Sequence, residues 1–220
     1  MPNVKFYSTD WAQEIDAYSD LGVTLQPVMR SLPAVKTNYQ AIAGRDGDVD
    51  LTEVDGEVHF DNRVDTLFFK RLDPSRSWAQ LSTLLANKLH GKRFFVVFED
   101  EEDVYYDARM SMTSLSPEEN VSTIELRMTA FPYKLKRELT TESSAVAGTV
   151  EMTLTNARMS TFPQVIVEGG QMTIEWNGAQ IVLAEGTYNK RYDMKLKEGD
   201  TVISVTGDGN ITFNWREGLL

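Results

Sequence analysis

The chain contains no cysteine among its 220 residues. That absence excludes disulfides, thiolate metal sites and a cysteine nucleophile, and it fits synthesis in a reducing compartment. Histidine is nearly absent too, with only His59 and His90. No stretch approaches the roughly 18 apolar residues of a membrane span, and Met1 to Tyr7 lacks an apolar signal core, so a soluble chain without a cleaved secretion signal is expected. No glycine-rich phosphate loop, zinc-ligand spacing or nucleophile elbow occurs. Basic charge is scarce: 22 Lys and Arg stand against 33 Asp and Glu, a net charge of −11. The excess is spread along the chain, and no basic cluster exceeds Lys70-Arg71 or Lys134 to Arg137. Affinity for nucleic acid comes chiefly from basic side chains neutralising phosphates, so a DNA-binding role is disfavoured.

What is present is an ordinary globular composition, 41% hydrophobic and 25% charged, in a chain long enough for two domains. Most of it reads as short segments alternating apolar and polar residues, the period of a half-buried β-strand. Phe94 to Phe98, Ser122 to Met128, Thr149 to Thr155, Gln164 to Glu168, Met172 to Trp176, Gln180 to Ala184 and Ile211 to Trp215 are the clear cases. One segment breaks the pattern. Trp78, Leu81, Leu84, Leu85 and Leu89 recur at helical spacing, Ser77 with Gln80 forms a capping box, and Gly91 stands where a left-handed stop belongs. A helix over about 77–90 is predicted.

Residues 139–148 are small, polar and aperiodic, and they are read as a linker between domains at 1–138 and 149–220. The C-terminal piece holds about eight strand candidates joined by Gly169-Gly170, Asn177-Gly178, Glu198 to Asp200 and Gly207 to Asn210, read as turns. No helix is visible there, which predicts a compact antiparallel sandwich.

Four groups of residues invite a chemical reading, each beside a plainer one. His59 lies in an alternating strand and His90 at a helix end; neither neighbours a nucleophile in sequence, and structural roles are favoured. Asp46 to Glu57 has the length of a calcium-binding EF-hand loop, but its sixth position is Leu51 where the turn needs Gly, and its flanks are not amphipathic helices. A polar turn leading into a strand is the better reading. Glu99 to Asp103 packs five carboxylates between two strands, either a cation site or, more simply, a solvated hairpin tip. Trp176 and Trp215, with Tyr188 and Tyr192, could form a sugar-stacking platform, although strand tryptophans in alternating patterns are normally core. No catalytic, cofactor-binding or metal-ligating residue is assigned, and no enzyme activity is expected.

The order of several short motifs resembles the distal tail protein family of siphophages. In the N-terminal half these are Leu21 to Val23, Ala43 to Gly47 before an acidic strand, the helix with Trp78, Leu81 and Leu85 ending at Gly91-Lys92, Phe94 to Phe98, Tyr105 to Arg109, and Phe131 to Lys134. In the C-terminal half they are Phe162-Pro163, Glu198 to Ile203, Gly207 to Phe213 and Trp215-Arg216. Trp11 to Tyr18 departs from the pattern as an acidic insertion, and the long carbohydrate-binding insertion of some members is missing. The resemblance implies a mainly β chain, with a tail-tube-like N-terminal β-sandwich bearing one α-helix and a galectin-like C-terminal β-sandwich. It further implies a structural role in the virion, at the phage tail tip, after assembly in the host cytoplasm. There a homo-hexameric ring of N-terminal domains would join the tail tube protein to the tail-associated hub protein and let DNA pass without specific binding. The alternative is a carbohydrate-binding adhesion module acting through the C-terminal sandwich.

Overall fold

The structure, a computed structural model, describes residues 3–72, 74–116 and 123–220, with residues 114–116 described by backbone alone. The chain forms two compact units, Met1–Lys134 together with Leu220, and Leu135–Leu219. As the alternation predicts, both are built mainly from β-strands.

The first unit contains β1 (Val4–Tyr7), β2 (Glu14–Asp16), β3 (Val23–Leu25), β4 (Tyr39–Gln40), β5 (Val49–Asp50), β6 (Arg63–Arg71), α1 (Trp78–Leu89), β7 (Arg93–Phe98), β8 (Val104–Ser116) and β9 (Thr123–Ala130). Seven strands of this unit lie side by side in one antiparallel sheet in the order β2-β1-β7-β8-β9-β6-β3, and two further strands join that sheet off this path. Alternation decides its inner face: Ile124, Leu126, Met128 and Ala130 of β9 are buried, and the residues between them are not. Strands from opposite ends of the sheet feed the same core, Val4 and Phe6 from β1 meeting Val23 and Leu25 from β3, because the sheet curls around its apolar face.

Helix α1 closes that core. Ser77 Oγ accepts from the Gln80 N–H and the Gln80 side chain accepts from the Ser77 N–H, so the predicted capping box is in place, while Gly91 at φ +76° supplies the left-handed exit. Leu81, Leu85 and Leu89 are buried; Trp78 and Leu84 are half-buried against the same cluster. Leu85→Ala is expected to cost about 2–5 kcal/mol by opening a cavity. Trp78→Ala should cost less, because its ring lies partly in solvent beneath Arg71. Chemical denaturation checks both, and two unchanged midpoints would show that the helix contributes nothing to the core.

The acidic insertion at Trp11 to Tyr18 forms part of a β1–β2 hairpin. Trp11, at φ +62°, folds back so that its ring lies 5.0 Å from Tyr7, 5.1 Å from Phe95 and 5.2 Å from Tyr105. Asp16 accepts backbone N–H bonds from Tyr18 and Ser19, which fixes the turn that follows.

The second unit corrects the linker reading. After β10 (Lys134–Lys136) comes β11 (Thr140–Asn156), one continuous strand of 17 residues that includes the stretch 140–148 expected to be a linker. It pairs along its whole length with β16 (Gly199–Trp215), which also carries Gly207 to Asn210, expected to be a turn. The other strands are β12 (Gln164–Glu168), β13 (Met172–Trp176), β14 (Ala179–Leu183), β15 (Gly186–Tyr188) and β17 (Gly218–Leu219). The free side of β16 pairs with β13 over Ser204–Gly207 and with β12 over Asn210–Asn214. One long ribbon thus belongs to two half-sheets, and their inner residues share a single core: Ile203 and Val205 from one half of β16, Ile211, Phe213 and Trp215 from the other. The ribbon bends where its inward positions are Gly207 and Gly209. A Cβ on Gly209 would stand 2.1 Å from the Glu168 carbonyl oxygen, so only glycine allows the backbone approach. The two layers make a β-sandwich. Asn177-Gly178, with φ of +49° and +81°, joins β13 to β14 as the predicted two-residue hairpin turn.

Candidate assembly surface

Between β3 and β6 the chain leaves the sheet for a two-stranded arm. Its base is set by the Val35 to Phe60 bridge and the Lys36 N–H to His59 carbonyl bond, its middle by β4 against β5, and its tip by Gly44 and Gly47 at positive φ. Residues 34–48 are exposed without interruption. The sequence explains why: the segment from 34 to 61 carries seven acidic residues against Lys36 and Arg45, too polar to enter a core. It nevertheless displays large apolar side chains in water, with Tyr39 58% exposed, Ile42 50% and Val54 79%. Met29 and Leu32 just before it are exposed as well, at 96% and 75%. Large apolar side chains are thus concentrated on an exposed arm.

The root of the arm is held by charge. Arg30 forks onto Asp100 (Nη1–Oδ1 2.9 Å, Nη2–Oδ2 2.6 Å) and lies over the Phe98 ring at 4.7 Å. Glu101 accepts from Lys134 Nζ at 2.7 Å and from the Tyr106 hydroxyl at 2.9 Å. Asp65 accepts from the Ser31 N–H and hydroxyl at 2.7 and 2.6 Å. Beside it, Arg63 is buried with its guanidinium 5.2 Å from the centre of the Tyr106 ring. The carboxylates at 99–103 are therefore not simply a solvated tip, because Asp100 and Glu101 tie the β7–β8 turn to the arm and to Lys134. Their partners lie 70 and 33 residues away in sequence, so no local pattern announces them.

This cluster carries a pH dependence. Burial pushes the Glu101 carboxyl upward, but the Lys134 and Tyr106 hydrogen bonds and the Arg30 charge outweigh it and leave it below the usual range. The Arg30 hydrogen bonds hold Asp100 low as well. Burial, reinforced by Glu101, raises the Tyr106 hydroxyl. A carboxylate with a depressed folded value stabilises the fold above its unfolded value and loses that contribution as pH falls through the folded one. Thermal melts from pH 7 to pH 3 should therefore show a loss of stability confined to the acid end, smaller in Glu101→Gln than in the parent chain. Identical pH profiles would show that Glu101 contributes nothing to the acid loss.

The other residues singled out in the sequence are dispersed. His59 Nε2 bonds Asp55 at 2.6 Å on the exposed arm, and His90 at the end of α1 accepts from the Met112 N–H through Nδ1. Asp46 to Glu57 lies in the arm, where Asp50 accepts from the Thr52 N–H and Asp55 from that of Glu57. Among the described residues no group of three His, Asp or Glu side chains is placed to hold a metal ion. No helix among them is long and apolar enough to cross a membrane. Trp176 and Trp215 are both 2% exposed, so they are core residues and not a surface platform; Tyr192, 73% exposed against Phe162, is the open aromatic of this unit.

Among the described residues these features define a two-unit β-protein with a single helix in its first unit and a charged, apolar-studded arm. No protein-family model and no curated protein sequence matches the chain. Among solved structures its fold is that of the SPP1 Dit (gp 19.1) protein, described as a paradigm of hub adsorption apparatus in Gram-positive infecting phages. The likeness has a TM-score of 0.70 at 14% identity and covers 98% of this chain and 99% of that one. Two chains of the phage p2 baseplate in its activated conformation, with Sr and with Ca, are more distant, at TM-scores of 0.48 and 0.43 and 8% identity. The mainly β fold with one helix expected from the sequence is the fold observed.

Proposed function

We propose that this chain is a structural subunit of a phage tail tip, of the distal tail type. Six copies would form a ring through their N-terminal units, joining the tail tube protein to the tail-associated hub protein and leaving a passage for DNA. The observation that carries the reading is the likeness to the SPP1 protein along both units, end to end in both chains, which a shared sandwich alone would not give. The exposed arm supports it, since a ring subunit needs contact surface beyond its own core. The acidic balance supports free passage of DNA, because carboxylates repel phosphates.

Size-exclusion chromatography with light scattering tests the ring directly. The expected species is a hexamer of six times 24.9 kDa, about 149 kDa. A chain that stays monomeric at every concentration would overturn the ring and favour an adhesion module acting through the second unit.

A further inference from the structure

Over β6, β7, β8 and β9 the outward face of the N-terminal sheet is basic, on a chain whose charge is otherwise acidic. Arg93 of β7, Arg109 of β8, Arg127 of β9 and Lys70 of β6 all stand exposed there against Asp107 and Glu125, whereas at the β1–β2 edge Lys5 pairs with Glu14 beside Asp16. Arg93 and Arg109 are direct cross-strand partners, a like-charge pairing that is unfavourable unless answered. Asp107 answers Arg93, accepting from its Nε at 2.6 Å. The Arg109 guanidinium donates to the neutral Gly91 carbonyl. Among the described residues no carboxylate pairs with Arg109, Arg127 or Lys70. A groove of about 450 Å³ opens on this face, lined among others by Asn62, Arg93, Arg109, Ser111, Thr129 and Phe131. Phe131 is 42% exposed, and Val64 and Phe68 lie exposed on the same sheet. The face thus offers unanswered cations beside apolar side chains.

We propose that the occupant of this groove is the acidic arm of a second copy of the chain. The arm has the matching chemistry: Asp46 and Asp48 at its tip make no ion pair among the described residues, and Tyr39, Ile42 and Val54 are apolar and exposed. A patch and a different, complementary patch on one chain make a heterologous contact, the kind that closes into a ring. Charge complementarity sets register and encounter rate, and the apolar side chains supply burial. A nucleic acid fits less well, because a net charge of −11 repels a polyanion and phosphates leave the apolar side chains unused. The inference rests on the ring reading and names the surfaces that build it.

Three variants of the full chain test it by light scattering: Arg109→Glu with Arg127→Glu, Asp46→Lys with Asp48→Lys, and all four together. Every changed side chain is exposed, so the melting temperatures should match the parent and report intact folding. Each double variant is expected to weaken association by about tenfold or more, and the fourfold variant to recover much of the loss. A parent that assembles while both double variants assemble equally well overturns the docking and leaves the ring standing. A parent that never assembles overturns both. A labelled DNA duplex supplies the remaining arm of the test: salt-sensitive binding by the parent that Arg109→Glu with Arg127→Glu abolishes would assign the groove to nucleic acid and overturn the proposal. No binding is expected.

Discussion

Gly209→Ala is expected to destabilise the C-terminal unit by about 3–5 kcal/mol, a large fraction of the total stability of a domain. Gly209 lies in the middle of a 17-residue strand at φ +136°, a conformation that L side chains rarely adopt, and its added Cβ would sit 2.1 Å from the backbone oxygen of Glu168. Backbone cannot move aside as a flexible side chain can. Relief requires β12 to separate from β16, and those two strands exchange pairing from Gln164 to Glu168. Gly148 on the partner strand gives the internal control. It too has positive φ, +87°, yet a Cβ there meets nothing within 4 Å, so Gly148→Ala should cost only the left-handed backbone term of about 1–2 kcal/mol. Urea denaturation of both variants separates the clash from the backbone preference. Equal losses would show that the bend does not depend on close approach at Gly209.

Trp215→Ala should cost a similar amount, about 3–5 kcal/mol. The indole is 2% exposed at the end of β16, inside the cluster that joins both half-sheets, and among the described residues its Nε1 has no hydrogen-bond partner. The loss is therefore of packing and not of a hydrogen bond. Trp215→Phe keeps much of the ring volume and should retain most of the stability. A sugar platform would behave in the opposite way, with stability unchanged on truncation to alanine. Thermal unfolding followed by tryptophan fluorescence and circular dichroism decides between the two.

The elements visible in the sequence are those whose cause is local. Ser77 and Gln80 cap a helix across three residues, Asn177-Gly178 turns a hairpin within two, and the alternation in β9 assigns its buried face without reference to any neighbour. The motifs that resemble those of distal tail proteins likewise lie in short runs. Residues 140–148, expected as a linker, form a strand for a physical reason. Ser143, Ser144, Ala145 and Ala147 have weak strand propensity, and they hold a strand only because β16 pairs with them residue by residue. Gly207 to Gly209 has the composition of a turn because the chain does bend there, but the bend lies within a strand whose pairing with β11 runs straight through it.

By itself, then, the sequence determined the strand and helix periods, the absence of thiol chemistry and the acidic balance, since each follows from covalent structure and near neighbours. Only the tertiary structure decided that Glu101 meets Lys134 and Arg30 meets Asp100, that both strand tryptophans are buried, and that the acidic segment after β3 is an exposed arm. It also decided that Arg93, Arg109 and Arg127, scattered in sequence, gather on one face. Those outcomes depend on which strands lie side by side, and strand order is set by the burial of the whole core, a sum over distant residues that no local pattern contains.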